Sequence, residues 1–356
     1  MFYICVRMDK KITIIDVARL AGVSKGTVDR VVHNRGEVSE KSAKKVRQAI
    51  EELQYEPNLY ASLLASKKSR EIACILPRYS SGEYWEKIDQ GIAEGDRQVS
   101  ALNVHARTYY YDQYDLRSFR EVCDEVIGSS PSGVILPPLF RSETMNFVNT
   151  LYRLDIPYIF VDTKLEDCNY LAYFGMPSYK SGYLCAELLT LRESNVEKIA
   201  IVRIKRDKTG LSDPTASRRE GFLDYISEHF PDCEVSSVFI DPSTPELITP
   251  VLDEFFSKNT GIKHMVMFNS RVHLLADFLS SHPEPGRRII GFDSLDKNME
   301  ILKDGTIDAL IAQHTENQSF RAVVSLADYI LVHKSPALRD NYVHMDILTR
   351  LNIENY

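Results

Sequence analysis

From residue 71 onward, short apolar runs alternate with longer stretches that have helical periodicity. Such alternation predicts buried parallel strands joined by helices. The runs fall into two series separated by a polar stretch, which predicts an α/β body of two doubly wound parallel-sheet lobes. The first series comprises 72–76, 133–136 and 158–161, with helices at 84–100, 115–128 and 142–153, and the second comprises 198–202, 235–240, 264–268, 289–291 and 309–312.

Charge divides the chain into a basic head and an acidic body. Residues 8–70 contain 13 Lys and Arg against 8 Asp and Glu, a net charge of +5. The whole chain carries −7 and Arg7 adds +1, so residues 71–356 carry −13. This distribution predicts that only the head meets a polyanion.

Several classes of protein are disfavoured by what the sequence lacks. It has no run of eighteen apolar residues and no secretory signal at its start, and its six cysteines include no C-x-x-C pair. We therefore expect a cytosolic protein with reduced, mostly buried thiols. Phosphate-binding loops, nucleophile elbows, dinucleotide fingerprints and zinc-protease motifs are also missing, so we expect neither an enzyme nor a cofactor.

The head begins with the pattern of two short helices joined by a tight turn. Thr13 and Asp16 form a capping box at the start of a helix over 14–21. Gly22 suits the left-handed position that ends this helix, and Ser24 caps a second helix that runs to about residue 33. A third helix over 39–54 closes a small core. The arrangement predicts a helix-turn-helix.

The second helix carries an outward polar face that includes Lys25, Gly26 and Arg30. A glycine inside a helix costs about 1 kcal/mol relative to alanine, and close approach to another surface is a common compensation. The first turn also offers free backbone amides around Thr27 that suit phosphate. The alternative is a three-helix bundle whose second helix is simply solvated.

A short segment over 58–66 follows the head. Pro57 ends the preceding helix and Asn58 caps a new one that spans only about two turns, too short to be stable alone in water. It carries leucines, among them Leu64, and basic residues follow it. Such an element is typical of a helix that folds against DNA and inserts a leucine into the minor groove. The alternative is a linker helix packed on the body.

The run TIIDVARLAGVSKGTVDRVVHNRGEVSEKSAKKVRQAIEELQYEPNLYASLLASKKS, which lies within residues 12–69, closely resembles the DNA-binding head of the lactose-repressor (LacI/GalR) family. The resemblance implies that Lys25, Gly26 and Arg30 face base edges in the major groove. It also implies that Leu64 is the minor-groove wedge with Ala61 beside it, and that Asn58 opens the short helix. The residues implied to contact the DNA backbone are Ser24, Thr27, His33 and Ser39.

Polar residues stand where strands of the body end, the place where ligands bind in such sheets. Aromatic faces and fixed donors and acceptors suit a sugar or a similar polyol. An Asp after a strand is also a common helix cap, and the single tryptophan is equally suited to the core. The candidate ligand-binding residues are Tyr84, Trp85, Asp162, Arg218, Asn269, Asp293 and Gln313.

The body also resembles the periplasmic-sugar-binding type of effector domain found in LacI/GalR regulators. The matching motifs are FVD at 160–162, RREGF at 218–222, GFD at 291–293 and IAQ at 311–313. The resemblance implies that the first lobe contributes Tyr84, Trp85 and Asp162 to the cleft. It assigns Arg218, Asn269 and Asp293 to the second lobe and Gln313 to the hinge.

Together these patterns predict a tail (1–11), a helix-turn-helix domain (12–56), a hinge helix and linker (57–70) and an effector-binding and dimerisation domain (71–350). The lobes of that domain are expected at 71–165 plus C-terminal segments and at 166–312. The predicted function is a homodimeric transcription regulator, in the cytoplasm at the bacterial nucleoid, that binds operator DNA under control of a small sugar-like effector. The alternative is a small-molecule-binding protein or enzyme whose basic head docks to a protein partner.

Overall fold

The computed structural model describes residues 12–32, 36, 38–55, 69–205 and 215–356. They belong to two compact units, a head within residues 1–66 and a body within residues 67–356. Across the described parts, no helix is long and apolar enough to cross a membrane.

The head is a bundle of three helices, α1 (Ile14–Ala21), α2 (Lys25–Val32) and α3 (Glu40–Glu52). The amide of Thr13 donates to Asp16 Oδ2 at 3.0 Å, and Gly22 ends α1 with φ = +66°. At the start of α2, Ser24 Oγ accepts the amide of Thr27 at 3.1 Å. The predicted capping box, left-handed turn and N-cap are therefore confirmed. The buried core of the head consists of Val17, Ala18, Ala21, Val28, Val46 and Ala49.

Several predicted features lie outside the described residues. These are the tail (1–11), the short helix at 58–66 and the polar loop at 206–214. Four of the predicted DNA-contacting residues fall there as well, namely His33, Asn58, Ala61 and Leu64.

The body alternates strands and helices along the chain. Its strands are β1 (Arg70–Pro77), β2 (Val104–Tyr111), β3 (Gly133–Leu136), β4 (Tyr158–Asp162), β5 (Ala172–Gly175), β6 (Lys198–Ile204), β7 (Glu234–Ile240), β8 (His264–Val266), β9 (Arg288–Phe292), β10 (Ala309–Gln313), β11 (Asp340–Tyr342) and β12 (Met345–Leu348). Its helices are α4 (Tyr84–Val99), α5 (Leu116–Ser129), α6 (Arg141–Arg153), α7 (Ser178–Leu189), α8 (Ala216–His229), α9 (Ile248–Lys258), α10 (Val272–Ser280), α11 (Asp296–Lys303) and α12 (Thr315–Val332).

The strands form two sheets with the same winding. The first sheet has the order β11-β5-β4-β3-β1-β2 and the second has β12-β10-β9-β8-β6-β7. Without the C-terminal strands β11 and β12, the two orders correspond strand for strand. Pairing is parallel except between β10 and β12. The predicted pair of doubly wound lobes is confirmed.

Short connections join the lobes, and they move the predicted boundaries. β5 lies in the first sheet, so the first lobe extends beyond the predicted residue 165 to residue 175. Helix α12 follows β10 of the second sheet but packs in the core of the first lobe through Val323 and Leu326. The chain therefore crosses between β5 and α7, between β10 and α12, and between β11 and β12. Ile353 is buried in the second lobe, so the body also continues beyond the predicted residue 350.

Helices α7 and α8 of the second lobe approach each other backbone to backbone. A Cβ on Gly182 would overlap the carbonyl oxygen of Arg218, and a Cβ on Gly221 would overlap that of Tyr179. Two facing glycines therefore allow this close packing. The contact matters for the ligand-binding prediction because it fixes the position of α8, the helix that carries Arg218, against α7.

Gly182→Ala tests this packing against Gly128→Ala. Gly128 lies on the exposed face of α5, where an added methyl group would have no neighbour within 4 Å. We expect Gly182→Ala to lower the free energy of unfolding by about 1–3 kcal/mol because the helices must separate. Gly128→Ala should raise it by roughly 0.5–1 kcal/mol. Urea unfolding measures both, and equal effects would contradict the close helix contact.

Candidate functional site

The head presents the predicted polar face on α2. Ser24, Lys25, Gly26 and Arg30 are exposed and Thr27 is half-buried, while Ser39 is exposed before α3. A Cβ on Gly26 would meet only Ser24 Oγ, at 3.8 Å, which is an ordinary contact. Nothing in the described head therefore requires a glycine at this position.

The body contains a cavity of about 690 Å³ between its lobes. The cavity lies at the carboxyl ends of the strands, where the sheet winding of each lobe reverses. Its volume is in the ordinary range for small-molecule sites. The structure brings all of the predicted ligand-binding residues together on its walls, namely Tyr84, Trp85, Asp162, Arg218, Asn269, Asp293 and Gln313.

Asp162 and Asp293 occupy equivalent places in the two lobes. Asp162 ends β4 and Asp293 follows β9, and these strands have the same position in their sheets. Both residues have φ = +66°, a left-handed conformation that is uncommon for residues with a side chain. Such strain tends to occur at functional sites. The equivalence places one carboxyl group from each lobe on the cavity.

A hydrogen-bond network connects these carboxyl groups through Tyr84 and Gln313. The Tyr84 hydroxyl donates to Asp162 Oδ1 at 2.6 Å and accepts from Gln313 Nε2 at 3.1 Å. Gln313 Nε2 also donates to Asp293 Oδ1 at 2.9 Å. Gln313 Oε1 accepts from Gln318 Nε2 at 2.8 Å. Both donors of Gln313 are thus used within the protein, so this residue ties the two lobes together.

Arg218 and Asn269 provide donors on the second-lobe wall. Arg218 Nη1 donates to the carbonyl of Phe268 at 2.8 Å, and the guanidinium lies 4.7 Å from the ring centre of Phe292. Its buried Nε has no hydrogen-bond partner within the described chain. Asn269 Oδ1 accepts the amide of Arg271 at 2.9 Å, which leaves the Nδ2 group as the donor that Asn269 offers.

Burial determines the protonation of the central groups. Burial raises the pKa of Asp293 to about 6, against the opposing effect of Arg218. Burial and the nearby carboxylates Asp162 and Asp293 raise the pKa of Tyr84 well above its ordinary value. Tyr84 therefore remains protonated and acts as the donor to Asp162.

Trp85 satisfies both interpretations that the sequence left open. It is 8 % exposed and belongs to the core of the first lobe, and it also lines the cavity. Its ring meets that of Tyr84 edge to face, with 5.1 Å between centres.

The sequence reasoning missed several residues of the cavity wall, including Glu83, Arg271 and His273. Arg271 Nη2 lies 3.2 Å from Glu83 Oε1 and so pairs the second lobe with the first. Arg271 and His273 come two and four residues after Asn269, at the start of α10. Their position just beyond a strand end was the available signal, because the first turn of the following helix borders the same edge of the sheet.

The family comparisons match both parts of the chain. Residues 72–334 match the family described as periplasmic binding protein domain. Residues 13–58 match the bacterial regulatory proteins of the lacI family.

Known regulators are similar to parts or most of this chain. The transcriptional regulator MalR of Streptococcus pneumoniae is 30% identical over 155 residues, which are 44% of this chain and 47% of MalR, so the match spans about half of that relative. The sucrose operon repressor of Pediococcus pentosaceus is 28% identical over 60% of each chain. A crystal structure from Bacteroides fragilis, assigned to the LacI transcriptional regulators, is 35% identical with a TM-score of 0.77 and covers 81% of this chain and 100% of that one.

The raised pKa of Asp293 predicts a pH-dependent stability. The folded state binds this proton more tightly than the unfolded state, where the pKa is about 3.9. The stabilisation is therefore complete below about pH 4 and is lost as the pH rises through about 6. The wild type therefore loses free energy of unfolding as the pH rises from 4 to 7, whereas Asp293→Asn does not, because Asn cannot ionise. Over this range the free energy of unfolding of Asp293→Asn should rise by about 3 kcal/mol relative to that of the wild type.

Urea unfolding at both pH values measures this difference, with the exposed Asp232→Asn as the control. A difference between Asp293→Asn and wild type that stays constant with pH would show that Asp293 has an ordinary pKa.

Proposed function

Because the chain belongs to the LacI family of bacterial transcriptional regulators, we propose that it represses transcription by binding an operator with an affinity that a small sugar-like effector controls. The observation that carries the proposal is the convergence of all seven predicted ligand-binding residues on one cavity. We infer that the chain acts in the cytoplasm at the bacterial nucleoid, as a regulator and not as an enzyme.

The chemistry of the cavity supports a polyol effector. Asp162 and Asp293 supply acceptors from opposite lobes, while Arg218 and Asn269 supply donors from the second. Tyr84 and Trp85 add apolar ring surface on which a sugar face can pack. A similar protein, the sucrose operon repressor of Pediococcus pentosaceus, is named for a sugar operon. This similarity favours a sugar-like ligand for the present chain as well.

The exposed face of α2 supports recognition of DNA by the head. We propose that Lys25, Gly26 and Arg30 contact base edges and that Ser24, Thr27 and Ser39 contact phosphate. Nothing inside the described head explains Gly26, so close approach to DNA is its proposed role. We assign His33, Asn58, Ala61 and Leu64 to the same interface by the family pattern.

Control by the effector requires that the two lobes transmit ligand binding to the segment that precedes the body. We propose a homodimer in which each head binds half of a near-palindromic operator and the paired 58–66 segments enter the minor groove. Rotation of one lobe against the other changes the distance between these segments. A coupling of about 1–3 kcal/mol changes operator affinity about 5- to 150-fold.

The roles of Arg30 and Lys44 in the head can be separated. Both side chains are exposed, but Arg30 lies on α2 and Lys44 on α3. With an operator selected from random DNA, Arg30→Ala should reduce the preference for operator over unrelated DNA by about 1–3 kcal/mol. Lys44→Ala should weaken binding to both DNAs equally and reduce the salt dependence.

Fluorescence anisotropy at several salt concentrations provides both quantities. Equal losses on operator and unrelated DNA for Arg30→Ala would contradict its base-reading role. Absence of any salt-dependent DNA binding by the wild type would instead favour a head that docks to protein.

The effector site is tested by operator release. We expect at least one of D-glucose, D-galactose, D-ribose and sucrose to change the operator affinity of the wild type by about 5- to 150-fold. Asp293→Ala should abolish this response, while the ligand-free protein should still bind the operator, because Asp293 lies in the cavity and not in the head. The exposed Asp232→Ala serves as the control. A full response in Asp293→Ala would locate the effector elsewhere.

A further inference from the structure

A buried asparagine determines which ring nitrogen of His273 carries its proton. Asn298, on α11, is fully buried. Its Nδ2 group shares its two hydrogens among three carbonyl oxygens, those of Ser270 at 2.9 Å, Phe292 at 3.2 Å and Asp293 at 3.0 Å. Carbonyl oxygens only accept, so the amino side of the amide must face them. The opposite orientation would place Asn298 Oδ1 against three other acceptors.

The orientation of Asn298 leaves its Oδ1 for the imidazole. His273 Nδ1 lies 3.1 Å from Asn298 Oδ1. An amide oxygen has no proton to give, so Nδ1 must be the protonated nitrogen. Burial lowers the pKa of His273, and the cations Lys297 and Arg271 lower it further, against the raising effects of Asn298 and Asp277. The ring is therefore neutral near pH 7, with an unprotonated Nε2.

The free nitrogen belongs to a residue of the cavity wall. His273 lies in the first turn of α10 and lines the cavity. No residue of the described chain forms a hydrogen bond with Nε2. On the same lobe's wall Asn269 and Arg218 offer donors and Asp293 offers an acceptor, so Nε2 adds a second acceptor there.

We propose that Nε2 of His273 accepts a hydrogen bond from one hydroxyl group of the effector and thereby selects for a hydroxyl at that position. The inference rests on the proposed sugar-like effector. A neutral Nε2 with no proton favours a hydroxyl group, because neither a deoxy position nor an O-methyl group can donate a hydrogen bond to it. A carbonyl at the same position would face the lone pair of Nε2 without a shared proton.

The tautomer can be measured on the full chain without any ligand. Long-range ¹H–¹⁵N spectra of the ¹⁵N-histidine-labelled protein at neutral pH should show His273 with a protonated Nδ1 and an unprotonated Nε2. His273→Asn assigns the signal. A protonated Nε2, or a doubly protonated ring at that pH, would overturn the inference.

The selection is measured by calorimetry with D-glucose, D-galactose, D-ribose and sucrose, and then with the monodeoxy forms of the tightest binder. The wild type should lose about 3- to 10-fold in affinity at the deoxy position that His273 recognises. His273→Asn keeps a donor for Asn298 Oδ1 but has no atom at Nε2. It should bind the parent sugar as weakly as the wild type binds that deoxy sugar, and should show no further loss with the deoxy sugar.

Two further variants keep the result decisive. His273→Gln places an amide oxygen near the position of Nε2 and should recover part of the affinity for the parent sugar. His282→Phe, beyond the end of α10 and outside the cavity, should bind like the wild type. Equal losses in His273→Asn for the parent and every deoxy sugar would indicate a structural effect and overturn the proposal. If the wild type binds none of the four sugars, the proposed effector class is contradicted and the inference falls with it, an outcome distinct from sugar binding without selection at His273.

Discussion

The interaction on which the body depends is the hydrogen-bond network from Asp162 through Tyr84 and Gln313 to Asp293. It begins at the end of a first-lobe strand and finishes at the equivalent point of the second. Hydrophobic cores hold each lobe together internally, but they are separate cores. Besides the Arg271–Glu83 pair, the short connections and this polar network therefore determine how the lobes stand relative to each other. Gln313 belongs to both, since it forms the network and immediately precedes the connection to α12.

The network is maintained at a cost to stability. Asp293 is 4 % exposed and has a pKa of about 6, so its ionisation at neutral pH destabilises the folded protein. An apolar residue would avoid this penalty, but it would provide no acceptor for a hydroxyl. Loss of stability at a binding site is common where the site is arranged for a ligand and not for the empty protein. The left-handed backbone conformation at both Asp162 and Asp293 is likewise a cost to stability.

The sequence predicted most of the strands that are buried on both faces and also the edge strand β7, but it missed β5, a buried strand of only four residues. β1, β3, β4 and the corresponding strands of the second lobe read as continuous apolar runs. β2 was missed because polar and charged residues interrupt its apolar ones, so that VHARTYYY contains no continuous apolar run. β11 is three polar-rich residues that become a strand only because β5 is beside them. Tertiary context, and not local preference, creates such strands.

The site shows the same division between local and tertiary information. Each predicted wall residue stands at a strand end or in the first turns of a helix that borders the cavity, positions that the sequence reveals. The role of His273 is hidden, because it depends on a proton that is placed by Asn298, a residue 25 positions later on another helix. The sequence also did not reveal that Gln313 connects the two lobes, because one of its hydrogen bonds is to Tyr84, which is 229 positions away.

The location of the network suggests how occupancy of the cavity reaches the rest of the chain. A ligand hydroxyl that donates to Oδ1 of Asp162 or of Asp293 competes with Tyr84 or with Gln313 for that oxygen. Gln313 would then lose a bond to one lobe while it remains hydrogen-bonded to Gln318 on α12, a helix packed in the other lobe's core. The angle between the lobes and the position of α12 are therefore coupled through one amide group. Because the first strand of that same lobe, β1, begins directly after the segment that leads from the head, a shift of the first lobe necessarily moves the point at which that segment enters the body.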